Sequence, residues 1–403
     1  MGKYIPLSVP NLAGNEQKYV KHAIAQTWVS TGGAYVTEFE RQLAGFLGVE
    51  QVAACQSGTS ALHLSLAECG VRHQDVVIVP ALTFIAAVNP VLYQSAEPVF
   101  MDCDDSLCMD PVKLRAFCEQ ECAYCDGKLL YHKKHVKALV IVHVFGNMAD
   151  MEALMDIAKA FRLTVIEDAT EALGTRYESG RYAGKYAGTI GDFGAFSFNG
   201  NKIITTGGGG AVTAKNPAHT EHMRYLSAQA KDDPRFYIHH EAGYNYRMTN
   251  LQAALGVAQM EQLPAFLEIK QKNYVRYQTL IADIPYCELL PFRDGTRPNY
   301  WFYSLNIHVK ALAADVREIM EELEHQGIQT RMIWGLIHEQ KPYKDCCAYQ
   351  IRQAVAYGKS ILNLPCSTNL TEDDVNYVSS RIRELSDHAA FWRQEKNSEE
   401  SLS

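Results

Sequence analysis

Between residues 50 and 215 the sequence alternates short Val/Ile-rich runs with stretches of helical period, a pattern that few architectures accommodate. Val76–Val79, Val99–Asp102, Ala138–His143 and Thr164–Asp168 read as strands, each a short apolar run bounded by turn formers. Ser60–Cys69, stopped by Gly70, and Met151–Phe161 read as helices between them. A strand that returns through a helix pairs in parallel and covers its sheet with helices on both faces, so the chain is expected to be α/β. Phe193–Phe198 and Ala211–Ala214 read as two further strands around a glycine-rich turn, and a long helix starts near Asn250. The last part mixes strands with helices. A chain of 403 residues exceeds one small core. The expected division is a large domain over 1–263, a smaller C-terminal α/β domain over 264–394 with the boundary near Pro264, and a polar tail over 395–403.

Charge narrows the partners. The formal net charge of −8 argues against a duplex nucleic-acid binder, which needs a basic footprint. It leaves phosphate-bearing small molecules open, because backbone amides hold phosphate without net positive charge. No apolar run approaches the roughly 18–20 residues that span a bilayer. Met1-Gly2-Lys3-Tyr4-Ile5-Pro6 has no apolar signal core, so a cytoplasmic location is expected. Eleven cysteines, an odd number scattered along the chain, read as reduced thiols. Cys118, Cys122 and Cys125 have the Cx3CxxC spacing of iron–sulfur sites in radical-SAM enzymes. The favoured reading is a local insertion with Cys118 at the end of a helix begun near Asp110, and no metal is expected.

Four features carry chemistry. Gln56-Ser57-Gly58-Thr59-Ser60 precedes a helix, where Gly58 lets backbone approach closely and free amides face outward as an anion cradle; simple helix capping is the competing reading. Val165-Ile166-Glu167-Asp168-Ala169 runs a strand into an acidic pair, and ligands of open α/β sheets gather at such carboxyl ends. Asp168 there could keep a pyridinium nitrogen protonated. Ser197-Phe198-Asn199-Gly200-Asn201-Lys202 sets a lysine on the turn after an apolar strand, with Thr205, Thr206 and Gly207–Gly210 beyond. A lysine partly buried in that setting can spend time as the free amine that a covalent cofactor link needs. Pro80-Ala81-Leu82-Thr83-Phe84 follows another strand, and Phe84 could stack on a flat ring at the edge where Asp168 lies.

Together with Trp28-Val29-Ser30-Thr31-Gly32-Gly33, Glu167-Asp168-Ala169-Thr170-Glu171-Ala172 and Gly243-Tyr244-Asn245-Tyr246-Arg247-Met248-Thr249-Asn250, these segments make the chain resemble the pyridoxal-phosphate (PLP)-dependent sugar aminotransferases of the DegT/DnrJ type, of fold type I. The resemblance runs from about Ile5 to Tyr377. It implies a mostly parallel seven-stranded sheet in the large domain, PLP as cofactor, and Lys202 and Asp168 as catalytic residues, the first linking to the cofactor and the second facing its ring nitrogen. It implies Gly58, Thr59 and Ser197 at the phosphate, Phe84 against the ring, Glu171 beside cofactor and sugar, and Asn245 reaching the phosphate of a neighbouring subunit in a homodimer. Ser30, Thr31, Asn201 and Arg247 become candidate substrate contacts, with Trp334, His338 and Tyr343 as further possibilities.

Asn201–Gly210, with Gly208 where many relatives carry Glu, Leu362–Leu370 and the insertion around 117–137 resemble the branch that acts in legionaminic-acid and bacillosamine synthesis. That branch implies glutamate as amino donor and C4 of a nucleotide-linked 2-acetamido-2,6-dideoxy-4-ketohexose as acceptor. Alternatives are a 4-aminotransferase on another nucleotide-linked 4-keto-6-deoxyhexose of perosamine type, a PLP-dependent sugar dehydratase, which Lys202 argues against because those relatives carry His there, and a non-catalytic PLP-fold regulator.

Overall fold

The computed structural model describes residues 4–308 and 315–400. Seven strands form the centre of the large sheet: β1 (Ala53–Cys55), β2 (Val76–Pro80), β3 (Glu97–Met101), β4 (Lys134–Val142), β5 (Thr164–Asp168), β6 (Phe193–Ser197) and β7 (Gly210–Ala214). Their spatial order is β1-β7-β6-β5-β4-β2-β3. From β6 to β3 every neighbour is parallel, while β7 runs antiparallel to β1 and β6. The interior residues of β2, β4 and β5 are buried on both faces, which is why they read as unbroken apolar runs and not as an alternation.

The sheet is larger than the seven strands expected. Ala348–Tyr349, from the C-terminal part, pairs in parallel with β3, and a hairpin of Ala123–Cys125 and Lys128–Tyr131 extends from β4, giving ten strands. A two-residue strand carries no periodicity, and in the hairpin the first strand is exposed throughout while the second buries only Leu129. Cys118 is buried in the helix Pro111–Gln120, capped by the Asp110 carboxylate, and Cys125 is exposed in the hairpin. Among the described residues no group of three or more His, Cys, Asp or Glu could hold a metal ion.

The helix Asn250–Ile281 starts at a capping box of Thr249 and Gln252 and runs unbroken through Pro264, so it belongs to both sides of the division expected there. Beyond it Cys287–Leu289, Tyr303–Ile307, Ile361–Leu364 and Arg331–Met332 form a separate four-stranded antiparallel sheet. The last helix spans Glu372–Glu400 and takes in the start of the expected polar tail; residues 401–403 lie outside the described residues. No helix among the described residues is long and apolar enough to cross a membrane.

Candidate functional site

Parallel pairing places the carboxyl ends of β2, β4, β5 and β6 on one edge, and the chain leaves each end carrying a polar or aromatic group. Val142 pairs with Asp168, and Asp168 with Ala195, so the acid sits at the middle of that edge. Alternation along β5 sends its two acids to opposite faces. Glu167 is buried on the structural side, where it accepts hydrogen bonds from the backbone N–H groups of Gly188, Ile190 and Gly191 and lies 2.9 Å from His143 Nε2. Asp168 turns instead into a cavity of about 370 Å³.

That cavity is lined by Ser57, Gly58, Thr59, Thr83, Phe84, Asp168, Thr170, Glu171, Ser197, Asn199, Asn201 and Lys202, with Gly208, Gly209, Trp301, Phe302 and Trp334 completing the wall. Ser57 caps the helix Gly58–Glu68 by accepting from Ser60 N–H, so the amides of Gly58 and Thr59 begin a helix at the cavity and have no carbonyl of the preceding turn to meet. A Cβ on Gly58 would stand 2.8 Å from Thr170 Cγ2 and 2.9 Å from Ser197 Cβ, so no larger residue fits while these stay in place. The hydroxyl-lined hollow at a helix N-terminus is built for an anion.

Lys202 Nζ lies 3.8 Å from Glu171 Oε1 and 3.9 Å from the centroid of the Trp301 ring. Burial lowers the Lys202 pKa, opposed by the charges of Glu171 and Asp168, and so favours the free amine. Glu171 is pushed up to about 7, mainly by burial. Its Oε2 accepts from Phe145 N–H at 2.8 Å, and Phe145 holds a left-handed backbone (φ 55°) that few non-glycine residues adopt. Burial also raises the Asp168 pKa, although its Oδ1 accepts from Thr170 N–H at 3.0 Å and Lys202 opposes the shift. A buried carboxylate held up in this way gains from a cationic partner.

Because the Glu171 carboxylate supports the charged form of Lys202, Glu171→Gln should move the pH midpoint for acylation of Lys202 in cofactor-free protein downward, by about one pH unit for a pair at this separation. Peptide mass spectrometry across a pH series reads the midpoint, and an unchanged or raised value would contradict the pairing.

Of the residues singled out in the sequence, Gly58, Thr59, Phe84, Asp168, Glu171, Ser197, Asn201 and Lys202 line this cavity. Phe84 is about half exposed there, its ring 6.4 Å from Trp334. Asn201 offers Oδ1, a buried oxygen without a hydrogen-bond partner among the described residues. Six others, Ser30, Thr31, Asn245, Arg247, His338 and Tyr343, are not among the lining residues. Ser30 and Thr31 sit on an exposed loop, where Ser30 O accepts from Asn250 N–H. Asn245 lies on the segment beside β1, its carbonyl accepting from Gln56 Nε2. Arg247 is 13% exposed, paired with Glu40 and donating to Ala54 O, so in this chain it ties that segment to β1 and does not reach the cavity. His338 and Tyr343 pack around Phe100, with the Tyr343 hydroxyl on Asn89. Trp301, Phe302 and Phe145 escape sequence reading because they arrive from distant segments. The one local hint is the aromatic run Tyr300-Trp301-Phe302-Tyr303.

The chemistry of this donor set fits a phosphorylated pyridine aldehyde: an anion cradle, a buried acid for a ring nitrogen, an amine of lowered pKa and aromatic walls. Comparison with known proteins agrees. Residues 10–383 match the model of the DegT/DnrJ/EryC1/StrS aminotransferase family. The GDP-perosamine synthase of Caulobacter vibrioides is 35% identical over 383 residues, covering 94% of this chain and 98% of that protein. The UDP-4-amino-4,6-dideoxy-N-acetyl-beta-L-altrosamine transaminase of Campylobacter jejuni serotype O:2 is 29% identical, covering 88% of this chain and 90% of that one. The crystal structure of a DegT DnrJ EryC1 StrS aminotransferase from Brucella abortus superposes with a TM-score of 0.83 at 26% identity, covering 92% and 95% of the two chains.

Proposed function

This chain belongs to the DegT/DnrJ/EryC1/StrS family of PLP-dependent nucleotide-sugar aminotransferases, and from that premise we propose that it moves an amino group from glutamate to C4 of a nucleotide-linked 2-acetamido-2,6-dideoxy-4-ketohexose. The observation that carries the reading is the convergence of Lys202, Asp168 and Glu171 on one cavity beside the Gly58 cradle. The glycine run Gly207–Gly210 and the Leu362–Leu370 segment favour the acetamido sugar over a perosamine-type substrate by their resemblance to the branch that uses it.

Gly58 and Thr59 amides and the Ser197 hydroxyl would hold the phosphate, Asp168 the ring nitrogen, Phe84 a ring face and Lys202 the carbonyl carbon. When bound, PLP supplies an electron sink that lets a proton leave carbon next to nitrogen. Lys202, on a rigid turn with a lowered pKa, takes a proton from the donor's α-carbon and returns one to C4 of the acceptor. Glu171 sits against the same amine and can stabilise its charged form after each transfer. Trp301, Phe302 and Trp334 exclude water from the exchange and offer apolar faces to the deoxygenated side of the sugar.

The test is a panel of UDP- and GDP-linked 4-keto-6-deoxy sugars, with and without the 2-acetamido group, assayed with glutamate. Turnover confined to acceptors lacking that group would overturn the acetamido-sugar assignment. Failure of glutamate while another amino donor works would overturn the donor.

A homodimer with shared sites is part of the proposal, supported by Asn245 lying outside its own chain's cavity on a segment that a second copy could bring to bear. Mixing two inactive variants, Lys202→Ala and Asn245→Ala, should then restore activity, because each mixed dimer has one site with both residues intact. Turnover no greater than that of the separate variants would argue for self-contained sites.

A further inference from the structure

One buried cation has no place in the chemistry above. Lys270, in the helix Asn250–Ile281, is 3% exposed, and among the described residues no carboxylate lies within ion-pair reach of it. An unpaired ammonium in the interior is costly unless its donors are fully used. The Lys270 Nζ donates to the Trp301 carbonyl at 2.7 Å and to the Cys366 carbonyl, and it stands 5.0 Å from the centroid of the Tyr303 ring. The Tyr303 hydroxyl closes the arrangement by donating to the carbonyl of Lys270 itself.

These contacts tie the long helix to the paired strands Tyr303–Ile307 and Ile361–Leu364, and through Cys366 to the N-terminal segment. The long helix supplies the ammonium, and the segment entering strand Tyr303–Ile307 supplies Trp301. Cys366 follows strand Ile361–Leu364 and is itself bonded to Leu7 of the N-terminal segment. Trp301 is also the side chain whose ring covers the amine of Lys202, and its indole N–H donates to Asn201 O at 2.7 Å. The residue before it, Tyr300, has a left-handed backbone (φ 54°), so the segment needs an external hold to keep the ring in place. A polar void of about 20 Å³ separates the two lysines and is lined by both, with Asn201, Ser8 and Ser367 around it.

We propose that Lys270 is a positioning residue for catalysis: it anchors the Trp301 backbone and so sets the ring against the Lys202 amine. Burial lowers the Lys270 pKa, opposed by the Cys366 side chain beside it. The proposal rests on Lys202 being the reactive amine.

The experiment uses the full chain carrying Lys270→Met, Lys270→Arg, Trp301→Leu and the double Lys270→Met/Trp301→Leu. Circular dichroism and thermal melts establish folding. In cofactor-free protein the pH midpoint for acylation of Lys202 is read by peptide mass spectrometry, and kcat and KM are measured after loading with PLP. Lys270→Met and Trp301→Leu should displace the midpoint in the same direction by half a pH unit or more. Each should lower kcat about tenfold with KM changed less than twofold, and the double variant should be no worse than the poorer single one. Lys270→Arg, which keeps the charge and the donors, should restore most of the effect. If Lys270→Met does not fold, Lys270→Gln, which loses the charge and keeps one amide donor group, is compared with Trp301→Leu in its place. A folded Lys270→Met with a wild-type midpoint and kcat would overturn the proposal, as would losses that multiply in the double variant. An absence of any Lys202 adduct in the wild-type protein would instead overturn the functional reading beneath it.

Discussion

Lys202→Ala should bind PLP without a covalent link and lose turnover by on the order of 10⁴-fold or more, the scale of removing a group that both bonds to the cofactor and moves the proton. Burial keeps the native amine available as a base, and nothing else on the cavity wall duplicates it: Asp168 and Glu171 are acids, and the other lining groups are hydroxyls, amides, aromatics, aliphatics and glycines. The phosphate cradle at Gly58 and the acid at Asp168 remain, so the variant should still retain the coenzyme on a desalting column. Borohydride reduction followed by peptide mass spectrometry should find the adduct on residue 202 in wild type and none in the variant. Two-substrate turnover in the variant within a hundredfold of wild type would remove Lys202 from its assigned role.

Much of this site is legible in the amino-acid sequence because its residues come in contiguous blocks. Glu167–Glu171 and Ser197–Lys202 each carry a strand end together with the turn that displays a functional group, and Ser57–Ser60 carries the cap and first turn of a helix, so local pattern and site coincide. The same holds for the fold, since strands buried on both faces, such as β2 and β5, announce themselves as Val/Ile runs. What local pattern does not contain is the far wall. Trp301 lies about a hundred residues after the Lys202 it covers and Trp334 further still, and each would pass as an ordinary core aromatic. Phe145 hides behind a backbone conformation that its side chain does not advertise. Arg247 shows the converse case. A cation within a family motif invites a substrate role, yet its charge is met in this chain by Glu40, 207 residues earlier, a pairing that spacing cannot reveal. The hairpin at 123–131 is legible only as an insertion, because its strands are three and four residues long and bury only Leu129.

The second large effect concerns Asp168, and it should have opposite signs with and without the coenzyme. In the empty site the carboxylate is a burden: burial raises its pKa above the ordinary value of 3.8, with Thr170 and Lys202 only partly offsetting this. A carboxyl whose native pKa is raised binds more protons folded than unfolded between those two values. Stability therefore falls as pH climbs through that window, and the whole penalty is present above it. Asp168→Asn, which keeps an acceptor for Thr170 N–H but cannot ionise, should remove that slope and leave the cofactor-free protein at pH 8 at least as stable as wild type in a thermal melt. On the proposed assignment the same anion would face a cationic ring nitrogen in the loaded enzyme, and removing one partner of a buried pair costs about 3–5 kcal/mol. That corresponds to a loss of roughly 10²–10³-fold in cofactor retention, turnover or both, for Asp168→Asn and Asp168→Ala alike. Should Asp168→Asn destabilise the empty protein at pH 8 while leaving the loaded enzyme's kinetics intact, the acid would be a structural capping group and the ring nitrogen would need another partner. The difference between the two states therefore separates a residue kept for the fold from one kept for the coenzyme.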